Sequence, residues 1–252
     1  MLAPLTRSEF RRVTDRVINE LGRKHGSQLL YVAAKGSIAR DAATAYSDVD
    51  LIAVLKSAQA QNEGYEWLYR TTPVDVNLYT LNGVRNSILK VDGFWPHRVG
   101  SFLVNKVFVD RAGVAEKIRR WHKSALENDQ SFRRACEFVG FLEYYSKVLR
   151  ARRTMNAEIL RYASWEIFFM SCMNIALLNK RFYYNHTTMI EQISRFEFVP
   201  EGFLGSARSI FSRDLTKVVQ AARSLVRINQ ELAEKFGYEK KGLTGIRQLR
   251  IP

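Results

Sequence analysis

The chain has 252 residues, of which 46% are hydrophobic and 25% are charged, the balance of a globular protein with a substantial core. Its formal net charge of +14 is spread over both halves of the chain, so it is not a basic tail. Such a charge favours polyanionic partners such as nucleotides or nucleic acid, although it carries no information about the fold.

Cysteines, histidines and apolar runs argue against several classes of protein. Cys136 and Cys172 lie in apolar helical surroundings, which predicts core residues and no disulfide framework. The four histidines show no metal-ligand spacing, which argues against a zinc site. The N-terminal segment has no apolar core of a signal peptide, and the longest apolar run, residues 167–178, is too short to span a bilayer. We therefore expect a cytoplasmic protein with no membrane association.

The first half of the chain predicts a helix followed by strands. Thr6 and Glu9 have the spacing of a capping box, and apolar residues at helical spacing follow as far as Gly26. Residues 29–34, 48–55 and 74–79 have the composition of strands. The segment 81–112 is less regular, although "FLVNKVFVD" (102–110) alternates like a further strand.

The second half predicts a helical bundle. From about residue 113, apolar residues recur at intervals of three and four over the four segments 114–126, 132–152, 157–180 and 212–236. The polar stretch 127–130 is the predicted boundary, which divides the chain into an N-terminal α/β domain, residues 1–127, and a helical domain, residues 128–252.

Acidic residues accompany two of the predicted strands. Residues two apart in a strand project from one face about 6.5–7 Å apart, so Asp48 and Asp50 would repel unless a cation lay between them. Asp75 alternates with Val74 and Val76 in the same way. If the two strands are neighbours, three carboxylates converge on a site suited to Mg²⁺. In the plainer alternative, Asp48 caps a turn while Asp50 and Asp75 face solvent.

A glycine–serine turn precedes the aspartates. Gly36 and Ser37 directly follow the first predicted strand, where backbone amides and a hydroxyl can hold a phosphate, and Arg40 can add a charge-assisted contact. Together the turn and the aspartates indicate a site for a metal–triphosphate. A haloacid-dehalogenase-type phosphatase requires an apolar strand directly before its Asp-x-Asp, where this chain has "RDAATAYS". Sugar-nucleotide glycosyltransferases also use an Asp-x-Asp motif, but that function does not account for the Gly-Ser turn.

In their order, "KGSIAR", "YSDVDL" and "VDVNL" resemble the signature of the DNA polymerase β-like nucleotidyltransferase superfamily. The tracts "YEW", "WPHRVGSF", "LEYYSK", "LLNKRFYYNHTT" and the closing "RIP" are similar to the kanamycin nucleotidyltransferase group of aminoglycoside-modifying enzymes. The resemblance implies an α+β fold, in which a polymerase-β-like nucleotidyltransferase domain with a mixed sheet precedes the helical bundle domain. It also implies transfer of AMP from ATP, or of a nucleotide from another nucleoside triphosphate, to a hydroxyl of an aminoglycoside.

The same resemblance implies roles for individual residues. The expected Mg²⁺ ligands are Asp48, Asp50 and Asp75. The nucleotide-binding residues are Gly36, Ser37, Arg40 and Lys147. Glu143 is the general base, and the residues that contact the cationic acceptor are Glu66, Asp75 and Glu143. The family is expected to form a homodimer in which the helical domain of one subunit completes the active site of the other.

Plainer interpretations and other acceptors remain open. Glu143 and Lys147 have the i, i+4 spacing of an ordinary solvated ion pair, and Glu66 is also compatible with a surface glutamate on a helix. Val139 and Gly140 replace acidic residues of the group, and a +14 chain is unusual for a polycationic acceptor. The alternatives are a nucleotidyltransferase acting on RNA or protein, and a non-catalytic antitoxin-type interaction protein of the same fold.

Overall fold

The computed structural model describes residues 6–44, 47–57, 64–136 and 138–237, which separate into two compact units. The tract "RIP" at 250–252 lies outside the described residues. The units divide between Glu127 and Asn128, and the short segment Val91–His97 groups with the second unit. In the ranges that the structure describes, no helix is both long and apolar enough to cross a membrane.

The first unit begins with helix α1, Arg7–His25. The predicted capping box is confirmed: the Thr6 hydroxyl accepts a hydrogen bond from the Glu9 amide, and the Glu9 carboxylate accepts one from the Thr6 amide at 2.9 Å. The helix ends at Gly26, whose φ of +53° favours glycine. The buried face of α1 packs on a sheet through Phe10, Val13, Val17 and Leu21.

The sheet of the first unit has five strands in its described residues, ordered β3-β4-β2-β1-β5. They are β1 Leu29–Ala34, β2 Val49–Leu55, β3 Gly64–Tyr69, β4 Thr72–Thr80 and β5 Lys106–Asp110. Strands β2 and β4 are parallel, and the other neighbours are antiparallel, so the predicted mixed sheet is confirmed.

Three local predictions in this unit were wrong in detail. Residues 102–103 do not begin a strand, because they end a helix, Trp95–Leu103, and β5 starts only at Lys106. Strand β2 begins at Val49, so Asp48 lies just before it. Glu66 lies on strand β3 and not on a helix, because the backbone of β3 pairs with β4 along its whole length.

The two faces of the sheet are covered differently. Val49 and Leu51 of β2 pack toward α1, whereas Ile52 and Val54 belong to a separate core with Val84. The helices that supply this second core are α3 Leu81–Leu89, α4 Trp95–Leu103 and α5 Val114–Leu126. A one-turn helix, α2 Gly36–Ala39, directly follows β1 and is not part of this core. Because side chains alternate along a strand, Asp50 lies on the face away from α1.

The second unit is helical, as predicted. Its helices are α6 Asp129–Ala135, α7 Val139–Arg153, α8 Ala157–Leu178, α9 Met189–Ile193, α10 Phe203–Ser209 and α11 Leu215–Phe236. The predicted single helix over 132–152 is wrong, because Cys136 adopts an extended backbone between α6 and α7. Cys136 and Cys172 are fully buried, which confirms them as core residues.

Candidate active site

The parallel pairing of β2 and β4 brings two of the predicted acidic residues together. In the register of the pair, Asp50 lies opposite Asp75, and both are half-buried on the same face of the sheet. The condition that these two strands are neighbours is therefore met. Asp48 precedes β2, is exposed, and is close enough to Asp50 to raise the pKa of its carboxyl.

A lysine that sequence reasoning did not single out lies between the two carboxylates. The Lys35 Nζ is 4.0 Å from Asp50 Oδ1 and 3.8 Å from Asp75 Oδ2. The Lys35 amide also donates a hydrogen bond to the Asp50 carbonyl at 3.0 Å, which ties the end of β1 to the start of β2. The lysine stands directly before Gly36 in "KGSIAR", but only the antiparallel pairing of β1 and β2 reveals its position.

The charge balance at this position favours a further cation. Burial is the main cause that raises the pKa of Asp50, Lys35 opposes it, and Asp48 and Asp75 add to it. Across the described ranges, no three His, Cys, Asp or Glu side chains are grouped closely enough to hold a metal ion. The carboxylate oxygens of Asp50 and Asp75 are nevertheless the ligand type that Mg²⁺ takes, and one ammonium only partly neutralises them.

Asp75 has support from its own strand. Asn77 Nδ2 donates a hydrogen bond to Asp75 Oδ2 at 2.6 Å, and the hydroxyl of Tyr79 reaches Asn77 Oδ1 at 3.5 Å. Burial, and secondarily the charge of Asp75, raises the pKa of Tyr79. Asp75, Asn77 and Tyr79 share one face of β4, because residues two apart in a strand project to the same side. The hydrogen bonds along this row orient the carboxylate of Asp75.

The Gly-Ser segment, predicted as a turn, begins the one-turn helix α2 directly after β1. Gly36 has a φ of +66°, and a Cβ at this position would lie 3.2 Å from Asp50 Oδ2, so the backbone passes close to the carboxylate. The Ser37 Oγ is buried and has no hydrogen-bond partner among the described residues. The Arg40 Nε donates to the Gly36 carbonyl at 3.1 Å. An unsatisfied hydroxyl in the residue after Gly36, together with the paired carboxylates, fits a ligand that brings both acceptor oxygens and a metal ion.

Glu66 lies beside this cluster on the outer strand. The register of β3 and β4 pairs Glu66 with Asp75, and the Glu66 side chain is exposed. Directly paired residues of antiparallel strands have Cβ atoms about 4.5–5.5 Å apart on the same face. The structure therefore brings three of the predicted site residues, Glu66, Asp50 and Asp75, onto one row across three strands.

The remaining predicted residues lie on α7 in the helical unit. The Lys147 Nζ is 2.7 Å from Glu143 Oε1, and this hydrogen bond raises the pKa of Lys147. The Lys147 ammonium also lies 4.6 Å from the centroid of the Tyr144 ring. The i, i+4 ion pair is thus present, with the carboxylate of Glu143 largely exposed.

Three comparisons relate the chain to known proteins. The model of the KNTase C-terminal domain family matches residues 113–239. Two aminoglycoside nucleotidyltransferases (4'), from Staphylococcus aureus and a Bacillus species, are each 22% identical over 240 residues, which cover 93% of this chain and 94% of each relative. The crystal structure of a nucleotidyltransferase-like protein from Exiguobacterium sibiricum 255-15 has a TM-score of 0.51 at 11% identity, covering 90% of this chain and 79% of that one. The last similarity supports the α+β fold.

Proposed function

The chain belongs to the KNTase C-terminal domain family, and we propose that it is an aminoglycoside O-nucleotidyltransferase. It transfers AMP from ATP, or a nucleotide from another nucleoside triphosphate, to a hydroxyl of an aminoglycoside. The observation that carries the proposal is the pairing of Asp50 with Asp75 at the point where the backbone of Gly36 passes close to Asp50. The nearly full-length similarity to two aminoglycoside nucleotidyltransferases (4') supports the acceptor class.

Asp48, Asp50 and Asp75 would hold Mg²⁺. Bound Mg²⁺ supplies neutralisation of phosphate charge and a template for the α-phosphate. The protein's own contribution begins with Lys35, which already contacts two of these carboxylates and limits their mutual repulsion. Because Lys35 stays tethered by its amide to Asp50, its ammonium can shift toward the triphosphate without movement of the backbone.

The turn after β1 binds the triphosphate. The buried hydroxyl of Ser37 donates to a phosphate oxygen, which satisfies a group that has no partner within the described ranges of the chain. Gly36 allows the backbone to approach, and the guanidinium of Arg40 adds a charge-assisted contact. Lys147 contacts the departing phosphates once it exchanges its ion pair with Glu143 for the nucleotide.

Glu143 acts as the general base. Its exposed carboxylate accepts the proton of the acceptor hydroxyl while that oxygen forms a bond to the α-phosphorus. The bond from the α-phosphorus to the bridging oxygen breaks, and its electron pair leaves with pyrophosphate. The carboxylates of Glu66, Asp75 and Glu143 bind the ammonium groups of the aminoglycoside, whose positive charges they complement. The active sites are shared between the two subunits of a homodimer.

Product analysis tests the proposal. The protein is incubated with Mg²⁺, ATP and a panel of kanamycin-type aminoglycosides, and pyrophosphate release and product mass are followed together. We expect an adenylyl increment on the drug that Asp48→Asn abolishes, while Asp15→Asn, an exposed change on α1, leaves it intact. Pyrophosphate release without any modified drug, with ATP and the other nucleoside triphosphates, would contradict the acceptor class.

A further inference from the structure

A concave surface lies on the opposite face of the sheet from Asp50 and Asp75. Helix α1 and strand β3 enclose a groove of about 680 Å³ within the first unit. Val13, Val17 and Val76 form part of its lining, and these residues belong to the core on the α1 side. The groove is therefore separate from the carboxylate cluster, and its interpretation does not depend on the proposed function.

The lining of the groove carries an excess of positive charge. Five basic residues, Arg12, Arg16, Arg23, Lys24 and Arg70, line it together with two acidic residues, Glu9 and Glu20. Both carboxylates are already paired, Glu9 with Arg70 at 2.9 Å and Glu20 with Arg23 at 2.9 Å.

Two exposed arginines remain available to an anion. Arg12 and Arg16 have no acidic partner in the part of the chain that the structure describes, and they stand one helical turn apart on α1. With Arg23 they form a row of cations about 16 Å long on one helix, since each residue rises 1.5 Å. This row repeats along one direction, which matches a polymer of negative charges better than a single anion.

Aromatic rings line the opposite wall. Tyr65, Trp67 and Tyr69 alternate along β3, so they share one face of the strand at intervals of about 6.5–7 Å. Trp67 is 39% exposed, although it lies inside the groove. Lys24 lies 4.3 Å from the centroid of the Tyr65 ring, so a cation already contacts this aromatic row.

We propose that this groove binds single-stranded RNA. A single strand presents repeated phosphates and repeated flat bases, which complement the cation row of α1 and the aromatic row of β3 respectively. A phosphorylated peptide offers no repeated planar group. A bilayer surface requires apolar side chains that protrude, whereas these rings line a concave cavity.

Binding of a fluorescently labelled oligouridylate to the full chain, measured by anisotropy over a range of salt concentrations, tests the charge component. Arg12→Gln combined with Arg16→Gln should lower the slope of log affinity against log salt by about 1.4, because each phosphate contact of a single strand contributes about 0.7. The matched control, Arg120→Gln combined with Lys123→Gln, removes the same charge from exposed positions on α5. This control should leave the slope nearly unchanged. An equal decrease of the slope in both double variants would overturn the proposal and indicate diffuse electrostatic attraction instead.

Trp67 tests the stacking component. Trp67→Leu should weaken oligouridylate binding about 5- to 150-fold without changing the salt slope, and Trp67→Phe should restore most of the loss. Inorganic polyphosphate, which has no bases, should bind the unmodified chain and Trp67→Leu with the same affinity. Full affinity in Trp67→Leu, or no oligouridylate binding by the unmodified chain at low salt, would overturn the proposal.

Two further measurements distinguish RNA binding in this groove from binding at the carboxylate cluster and from binding to a membrane. Asp50→Asn should bind oligouridylate normally, because its side chain lies on the other face of the sheet. Vesicles containing phosphatidylserine should not compete with the RNA. Competition by these vesicles that Trp67→Leu abolishes would show that the groove binds a membrane surface rather than RNA. Cooperative thermal unfolding, with a melting temperature no lower than that of the unmodified chain, ensures that each variant is folded.

Discussion

Asp50 and Asp75 lie opposite each other on parallel strands, and the ammonium of Lys35 lies within 4.0 Å of both carboxylates. The pair is half-buried and carries more negative charge than the lysine neutralises. Such a cluster is costly to hold unless a ligand uses it. The relationship therefore makes separate predictions for activity and for stability.

Asp50→Asn should abolish nucleotidyl transfer and yet raise the melting temperature of the protein without Mg²⁺. The folded state raises the pKa of Asp50, chiefly through burial, so the ionised form is destabilising at neutral pH and the neutral amide removes this cost. Thermal melts and turnover are measured on the same preparations. Lower stability together with full activity would contradict the assignment of Asp50 to the active site. The control Asp15→Asn on α1 should change neither the melting temperature nor the turnover.

Ser37→Ala should reduce kcat/KM for ATP about 10- to 150-fold without destabilising the protein. The buried hydroxyl has no partner in the part of the chain that the structure describes, so its removal costs no hydrogen bond there. A hydrogen bond to a charged phosphate, by contrast, is lost. Steady-state kinetics and denaturant unfolding check the two halves of the prediction. A large loss of stability would indicate a structural role for Ser37.

Glu143→Gln should lower kcat about 10²–10⁴-fold if Glu143 is the general base. Its matched control is Glu191→Gln on α9, which breaks another exposed i, i+4 ion pair, with Arg195 just beyond the end of that helix at 2.5 Å. Turnover at saturating substrate distinguishes the two variants. Equal turnover in both variants would show that Glu143 and Lys147 form an ordinary surface ion pair and that Glu143 is not the general base.

His122 on α5 should make the protein less stable in mild acid. Burial lowers the pKa of its imidazole in the folded state, so the unfolded chain takes up a proton first as the pH falls through about 6.5. The free energy of unfolding should therefore decrease from about pH 7.5 to about pH 5.5. His122→Gln should show a smaller decrease between the same values in urea titrations. An identical pH dependence in both proteins would exclude His122 as a cause.

Much of the local structure could be predicted from the sequence. Thr6 and Glu9 predicted the start of α1 because a capping box joins residues only three apart. The strand Leu29–Ala34 and the helix Val114–Leu126 were predicted at their observed bounds, because their apolar patterns are strong and their ends are clear. Strand β3 was missed, since its pairing with β4 rather than its own pattern stabilises it.

The sequence by itself determined the order of the motifs, the α+β division and the residue types available for a metal–triphosphate site, because capping, periodicity and turn chemistry are local. Only the tertiary structure decided that Asp50 faces Asp75, that Lys35 lies between them and that the Ser37 hydroxyl is buried with no partner among the residues described. It also decided that Arg12 and Trp67 line one groove. Strand order and register depend on how distant segments pack, and a shift of one residue would reverse every side chain in the strand.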